Sequence, residues 1–151
     1  MIDNDKTADG GDPHDLKRFI SAQEGVYERV LSELRGGLKR SHWMWYIFPQ
    51  IDGLGYSPTT RHYAIKSLEE ARQYLSHPVL GARLRECAET VLDVNDRSAL
   101  DIFGNPDVTK LQSSMTLFSL VAGSNSVFER VLEKYFRGKQ DPRTLQVVGK
   151  P

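Results

Sequence analysis

The chain has 151 residues, 39% hydrophobic and 26% charged, which suffices for one buried core and would starve two. Twenty Lys plus Arg balance twenty Asp plus Glu for a formal net charge of +0, so no general positive field exists to hold a polyanion, and neither nucleic acid nor anionic membrane is expected as a partner. The single cysteine, Cys87, excludes an internal disulfide and a cysteine-based metal cluster, and no run approaches the roughly 20 apolar residues that span a bilayer.

Residues 1–12 hold Asp3, Asp5, Asp9 and Asp12 against Lys6 and lack the apolar run of a signal peptide. They read as a disordered polar tail ahead of a single helical domain over 13–151, in a chain expected to be cytoplasmic and complete. Asp12-Pro13 has the form of a helix start. Leu16, Phe19, Ile20, Gln23, Tyr27, Val30, Leu31 and Leu34 then recur at three- and four-residue steps, predicting one amphipathic helix that Gly36-Gly37 stops and that Gly25 bends. Ser57-Pro58 opens a short turn. Ser67 with Glu70 forms a capping box for a helix over 68–76, and Pro78 restarts the chain.

Val79, Leu80, Leu84, Cys87, Ala88, Val91 and Leu92 continue at helical spacing to Asn95-Asp96. Ser98 with Asp101 caps a short helix closed by Gly104. Asn105-Pro106-Asp107 begins a longer one with Val108, Leu111, Met115, Phe118 and Val121 facing inward, until Gly123. Ser126 with Glu129 caps the next, which Gly138 ends, and Asp141-Pro142 starts a last turn of helix through Val148. No region alternates apolar and polar residues long enough for a strand. The fold class is therefore all-α, a compact bundle of about seven to nine short helices.

One segment departs from amphipathic patterning. Lys39 to Gln50 holds both tryptophans, and a helix begun at Ser41 would be apolar all round, so it must be buried or must line a cavity. Pro49 ends it, and Gly53-Leu54-Gly55 suits a tight loop. Trp43, Trp45, Tyr46 and Phe48 read as walls of a pocket, with Lys39, His42 and Gln50 at its ends and His42 as the candidate acid or base. The same residues read equally as plain core.

A second departure is Lys110 to Thr116, where Ser113, Ser114 and Thr116 occupy a helix interior despite poor helix propensity. Ser113 and Thr116 share one face and Lys110 and Ser114 another, and either pair suits a polar ligand such as a phosphate or sugar. Close packing around small side chains is the competing explanation. No base adjoins Ser113 or Ser114 in sequence to activate a nucleophile. Dinucleotide, phosphate-loop and hydrolase motifs are absent, His14, His42, His62 and His77 lack metal-ligand spacing, and no metal or cofactor is expected. Arg61 is an anion contact without a fixed register.

Phe19 with Ala22-Gln23, the block Lys39 to Gln50, Gly53-Leu54-Gly55, Tyr74 to Gly81, Ile102-Phe103-Gly104, Lys110 to Phe118 and Tyr135-Phe136 together resemble the bacterial domain-of-unknown-function family 1810, over residues 15 to about 148. The specific blocks are H-W-M-W-Y-I-F-P-Q and S-S-M-T-L-F. The resemblance implies a mainly helical fold and no established activity; the calpastatin label that some members carry has no support in this composition. The layout is also similar to helical proteins that act on ADP-ribose-type N-glycosides, in which a late Lys-and-hydroxyl segment adjoins a nucleotide-like ligand, although no catalytic acidic residue is carried over.

Two functions follow. In one, a small polar ligand containing a nucleotide or ribosyl group lies between the aromatic block and the Lys110 to Thr116 helix: His42 acts as acid or base, Trp43, Trp45 or Tyr46 stacks on a planar ring, and Lys39, Gln50, Lys110, Ser113, Ser114 and Thr116 supply polar contacts. In the other, the chain is a non-catalytic protein-interaction module and the aromatic block is core. Oligomeric state is open.

Overall fold

In a computed structural model, residues 11–149 are described; apart from Gly11 and Asp12 the expected tail lies outside them. Among the described residues ten helices follow in order: α1 Lys17–Gln23, α2 Tyr27–Arg35, α3 Met44–Ile47, α4 Pro58–Tyr63, α5 Leu68–Ser76, α6 Leu80–Leu92, α7 Ala99–Phe103, α8 Asp107–Ala122, α9 Val127–Phe136 and α10 Pro142–Val148. The described residues hold no strand, only an isolated parallel bridge between Ile51 and Ile65. The protein is all-α. The count exceeds the expected seven to nine chiefly because the first stripe is two helices: Glu24 leaves helical geometry (ψ 129°) and Gly25 takes φ +75°, which glycine adopts without steric cost.

Side-chain caps set half of the starts. The Asp12 carboxylate accepts from the Leu16 and Lys17 amides at 2.7 and 3.2 Å, so the expected start at Asp12-Pro13 is a turn and α1 begins only at Lys17. Ser57, Ser67, Ser98, Ser126 and Asp141 each accept the amide three residues on. Ser98 with Asp101 completes a reciprocal box. At Ser67 the return bond is missing, because the Glu70 carboxylate accepts from the Lys66 amide and from Arg18.

Helix α8 is the centre of the bundle. Residues Ser113 to Phe118 are buried without a break, and α5, α7, α9 and α10 pack around it, with α6 closing against α5 and α9. Phe118 joins the layers, its ring 5.4 Å from Tyr74 of α5 and 5.9 Å from Phe128 of α9. The start of α6 crosses the end of α5 so closely that a Cβ on Gly81 would lie 2.0 Å from the Leu75 carbonyl oxygen. Only glycine fits there.

A buried ion pair ties the start of the domain to α4 and α5. The Arg18 side chain, 8% exposed, donates through Nε to His62 O, through Nη1 to His14 O and Asp15 O, and through Nη2 to Ala64 O and to the Glu70 carboxylate, at 2.7–2.9 Å. All five N–H groups are used, and Glu70 is 2% exposed. Removing one partner leaves the other buried and uncompensated. Arg18→Ala and Glu70→Ala are each expected to lose about 3–5 kcal/mol in urea unfolding, whereas an Arg18→Met/Glu70→Leu double variant recovers a substantial part of the loss.

Candidate functional site

The aromatic segment divides between core and surface. Trp43, Met44, Ile47 and Phe48 are buried, with Phe48 edge-on to Phe103 at 6.0 Å, while Trp45 and Tyr46 are half-buried on the outer side of α3. The expected four-walled aromatic pocket therefore has Trp43 and Phe48 turned inward. Helix α3 is only one turn long, because Pro49 follows and because the approach from Lys39 to Trp43 is held in extended and turn geometry by Glu33.

That carboxylate accepts from the Arg40 amide, the Ser41 amide and hydroxyl, and the Trp43 indole N–H, at 2.6–3.1 Å. Burial would raise its pKa, but the four hydrogen bonds to the charged form outweigh burial and bring it from 4.5 down to about 2. Across α3, the Gln23 side chain donates to Tyr46 O at 2.8 Å and accepts from Arg83 at 3.1 Å.

Two lysines meet this segment from different directions. Lys39 Nζ lies 5.0 Å from the Trp43 ring centroid, donates to Ser41 O at 2.7 Å and pairs with Asp107 at 2.8 Å. Lys110 Nζ lies 5.1 Å from the Trp45 centroid and 3.7 Å from the second oxygen of Asp107. Asp107 thus neutralises Lys39 tightly and Lys110 loosely. Beside Lys110, a cleft between α3, α4 and the start of α8 is lined by Trp45, Gln50, Thr60 and Tyr63 over a floor of Met44 and Phe48. Its volume is about 10 Å³. As it stands it holds about one ordered water.

The structure therefore brings together three of the expected contacts, Trp45, Gln50 and Lys110, with Lys39 behind them through Asp107. Thr60 and Tyr63 join them from α4, which the sequence presents only as a turn after Ser57-Pro58. His42 is exposed, lies outside the cleft lining and has no hydrogen bond or ion pair among the described residues.

Ser113 and Thr116 are engaged elsewhere. Ser113 donates to Thr109 O and to Asp141 Oδ2, at 3.1 and 2.9 Å; Thr116 donates to Gln112 O and accepts from the Asp141 amide, at 2.8 and 2.9 Å. Asp141 also accepts from the Thr144 amide and hydroxyl, which clasps the start of α10 against α8. Ser114 lies one turn beyond Lys110 on the same ridge, fully buried, and its Oγ is the only buried side-chain polar atom without a hydrogen-bond partner among the described residues. No three His, Cys, Asp or Glu side chains gather as a metal site requires among the described residues.

Residues 13–148 match the family described as a protein of unknown function, DUF1810. The chain belongs to the DUF1810 family. It is similar to the conserved hypothetical protein Rv1873 from Mycobacterium tuberculosis, with 51% identity and a TM-score of 0.91 over 93% of this chain and 100% of that one. No curated protein matches the chain. That relative's name carries no ligand and no reaction, so the chemistry of this DUF1810 chain rests on its own side chains. Among the described residues no helix is long and apolar enough to cross a membrane.

The Glu33 anchor makes a pH-dependent prediction. Its carboxyl is depressed in the folded chain, so its stabilisation is present above pH 4.5 and disappears as pH falls through about 2. The stability advantage of the wild type over Glu33→Gln, measured by urea unfolding, is expected to shrink steadily from pH 5 toward pH 2. A constant difference across that range overturns the assignment.

Proposed function

We propose that this chain binds a small polar molecule with a planar ring and an anionic group, of the nucleotide or ribosyl class, at the cleft between α3 and the start of α8, and that it does so in the cytoplasm. The observation that carries the reading is Lys110. Its ammonium caps the Trp45 face while its ion pair with Asp107 is stretched to 3.7 Å, because Lys39 already holds that carboxylate at 2.8 Å. The Lys110 charge is thus only partly satisfied, and it sits on the aromatic surface a planar ring would take.

Binding follows as an exchange. Lys110 swings off Trp45, at a cost of about 0.5–1 kcal/mol of cation–π attraction, and the ring of the ligand replaces it on the indole. The ammonium then pairs with the anionic group, while Gln50 and Thr60 offer hydrogen-bonding groups at the rim. Lys39 and Asp107 fix the base of α8 against the aromatic segment. The reading is of binding and gives His42 no part in it, since His42 lies outside the lining. A reducing compartment suits the single free thiol, buried at Cys87.

The narrowness of the cleft favours a second reading. Drug-sized pockets run to about 300–1,000 Å³, whereas this cleft has about 10 Å³. A protein-interaction module would use the outer aromatic face of Trp45 and Tyr46 as it stands.

A thermal-shift panel of nucleotides, nucleosides, ADP-ribose and sugar phosphates separates the two, since a ligand at about 100 times its Kd adds about 2.7 kcal/mol of stability. The expected result is a hit that Trp45→Ala and Lys110→Met abolish and that His42→Ala leaves in place. Silence across the panel from a folded protein, or a hit that both cleft variants retain, rejects the ligand reading.

A further inference from the structure

Helix α4 has a second functional face. Thr60 and Tyr63 line the cleft beside Trp45, whereas Arg61 and His62 line a separate basin of about 520 Å³ between α4 and the turn that leads into α1. Its floor is the Arg18–Glu70 pair, whose charges cancel and whose donors are spent on fixed carbonyl and carboxylate oxygens. Its rim is different. The Arg61 guanidinium makes no hydrogen bond or ion pair among the described residues, and Lys66 Nζ spends one donor on Arg61 O and lies 3.8 Å from Asp52. His14 and His62 complete the rim, and the His62 ring stands edge-on to Tyr63 with centroids 4.6 Å apart.

Among the described residues the charged groups lining the space are Arg18, Arg61 and Lys66 against Asp15 and Glu70, with Asp52 beside Lys66 at its edge, so the charges balance before either histidine is protonated and turn positive once one is. We infer that this basin is a second ligand site, for a phosphate-type dianion: inorganic phosphate, or the phosphate group of a small ester. The reason is the match of donors to acceptors. Arg61 offers a planar fork with all five donors unspent, Lys66 keeps two, and the imidazoles add ring N–H groups, around a rigid floor that cannot collapse into the space. A phosphate dianion presents enough oxygen lone pairs to take several of these at once, whereas a lone carboxylate satisfies fewer. The inference is independent of the Trp45 cleft, because it uses the other side of α4 and none of the same polar groups.

The test uses the full chain with inorganic phosphate and pyrophosphate as probes, in calorimetric titration and in NMR of the histidine rings. Phosphate is expected to shift the His14 and His62 ring signals and leave His42 and His77 unmoved. Arg61→Ala and Lys66→Ala, both at exposed positions, are each expected to weaken binding about tenfold. Asp15→Asn is expected to tighten it severalfold: it removes an opposing charge at a position with φ +51°, which asparagine tolerates. Phosphate that leaves the His14 and His62 signals unmoved, or that binds equally well to the Arg61→Ala/Lys66→Ala double variant, overturns the site.

Discussion

Residues Ser113 to Phe118 bury α8 at the middle of the bundle, with α5, α7, α9 and α10 packed around it. A helix covered on almost every side cannot leave polar side chains in water, and it must accept neighbours at close range. Both demands explain Ser113 and Thr116. Their small side chains let other elements approach, and their hydroxyls return to carbonyls one turn back while reaching Asp141. Ser114 meets the packing demand without meeting the hydrogen-bonding one. Only at its exposed beginning, around Asp107 and Lys110, does α8 present charge, and that end meets the aromatic segment.

A bundle of many short helices creates a further difficulty, since each leaves backbone groups unpaired at both ends. Serine and aspartate caps deal with half of the beginnings. Long basic side chains and phenols deal with several of the endings: Arg18 takes the carbonyls that close α4, Lys134 takes Leu92 O and Val94 O beyond α6, and Tyr135 takes Val91 O. These bonds join segments distant in sequence, so the same interactions that satisfy helix ends also fix how the helices are arranged. The candidate site shares this economy: Glu33 on α2 holds the approach to α3, and Lys39 joins that approach to α8 through Asp107.

Local signals in the sequence were reliable where the physics is local. The spacing of Leu68, Ala71, Tyr74 and Leu75 and the Ser67 cap place α5 at 68–76, where it lies, and the Ser98–Asp101 box and the Gly104 and Gly123 stops are likewise as expected. The aromatic segment was recognisable as unusual because nothing amphipathic explains it. Which of its rings face outward was not legible, since a single helical turn has no preceding register to fix its rotation. Thr60 and Tyr63 carried no signal at all: they sit in a polar stretch without periodicity, and α4 buries no side chain that would have announced it.

Capping, glycine stops and apolar spacing act within a few residues, so the all-α class, most helix boundaries and the unusual aromatic segment can be read directly along the chain. Which polar residues are clasps and which face open space depends instead on how distant segments pack. Ser113 and Lys110 lie three residues apart on one helix, yet one is bound to Asp141 and the other stands over Trp45. Their difference comes from partners contributed by distant parts of the chain. Burial and charge pairing are properties of where segments meet, and that meeting is set by packing around α8.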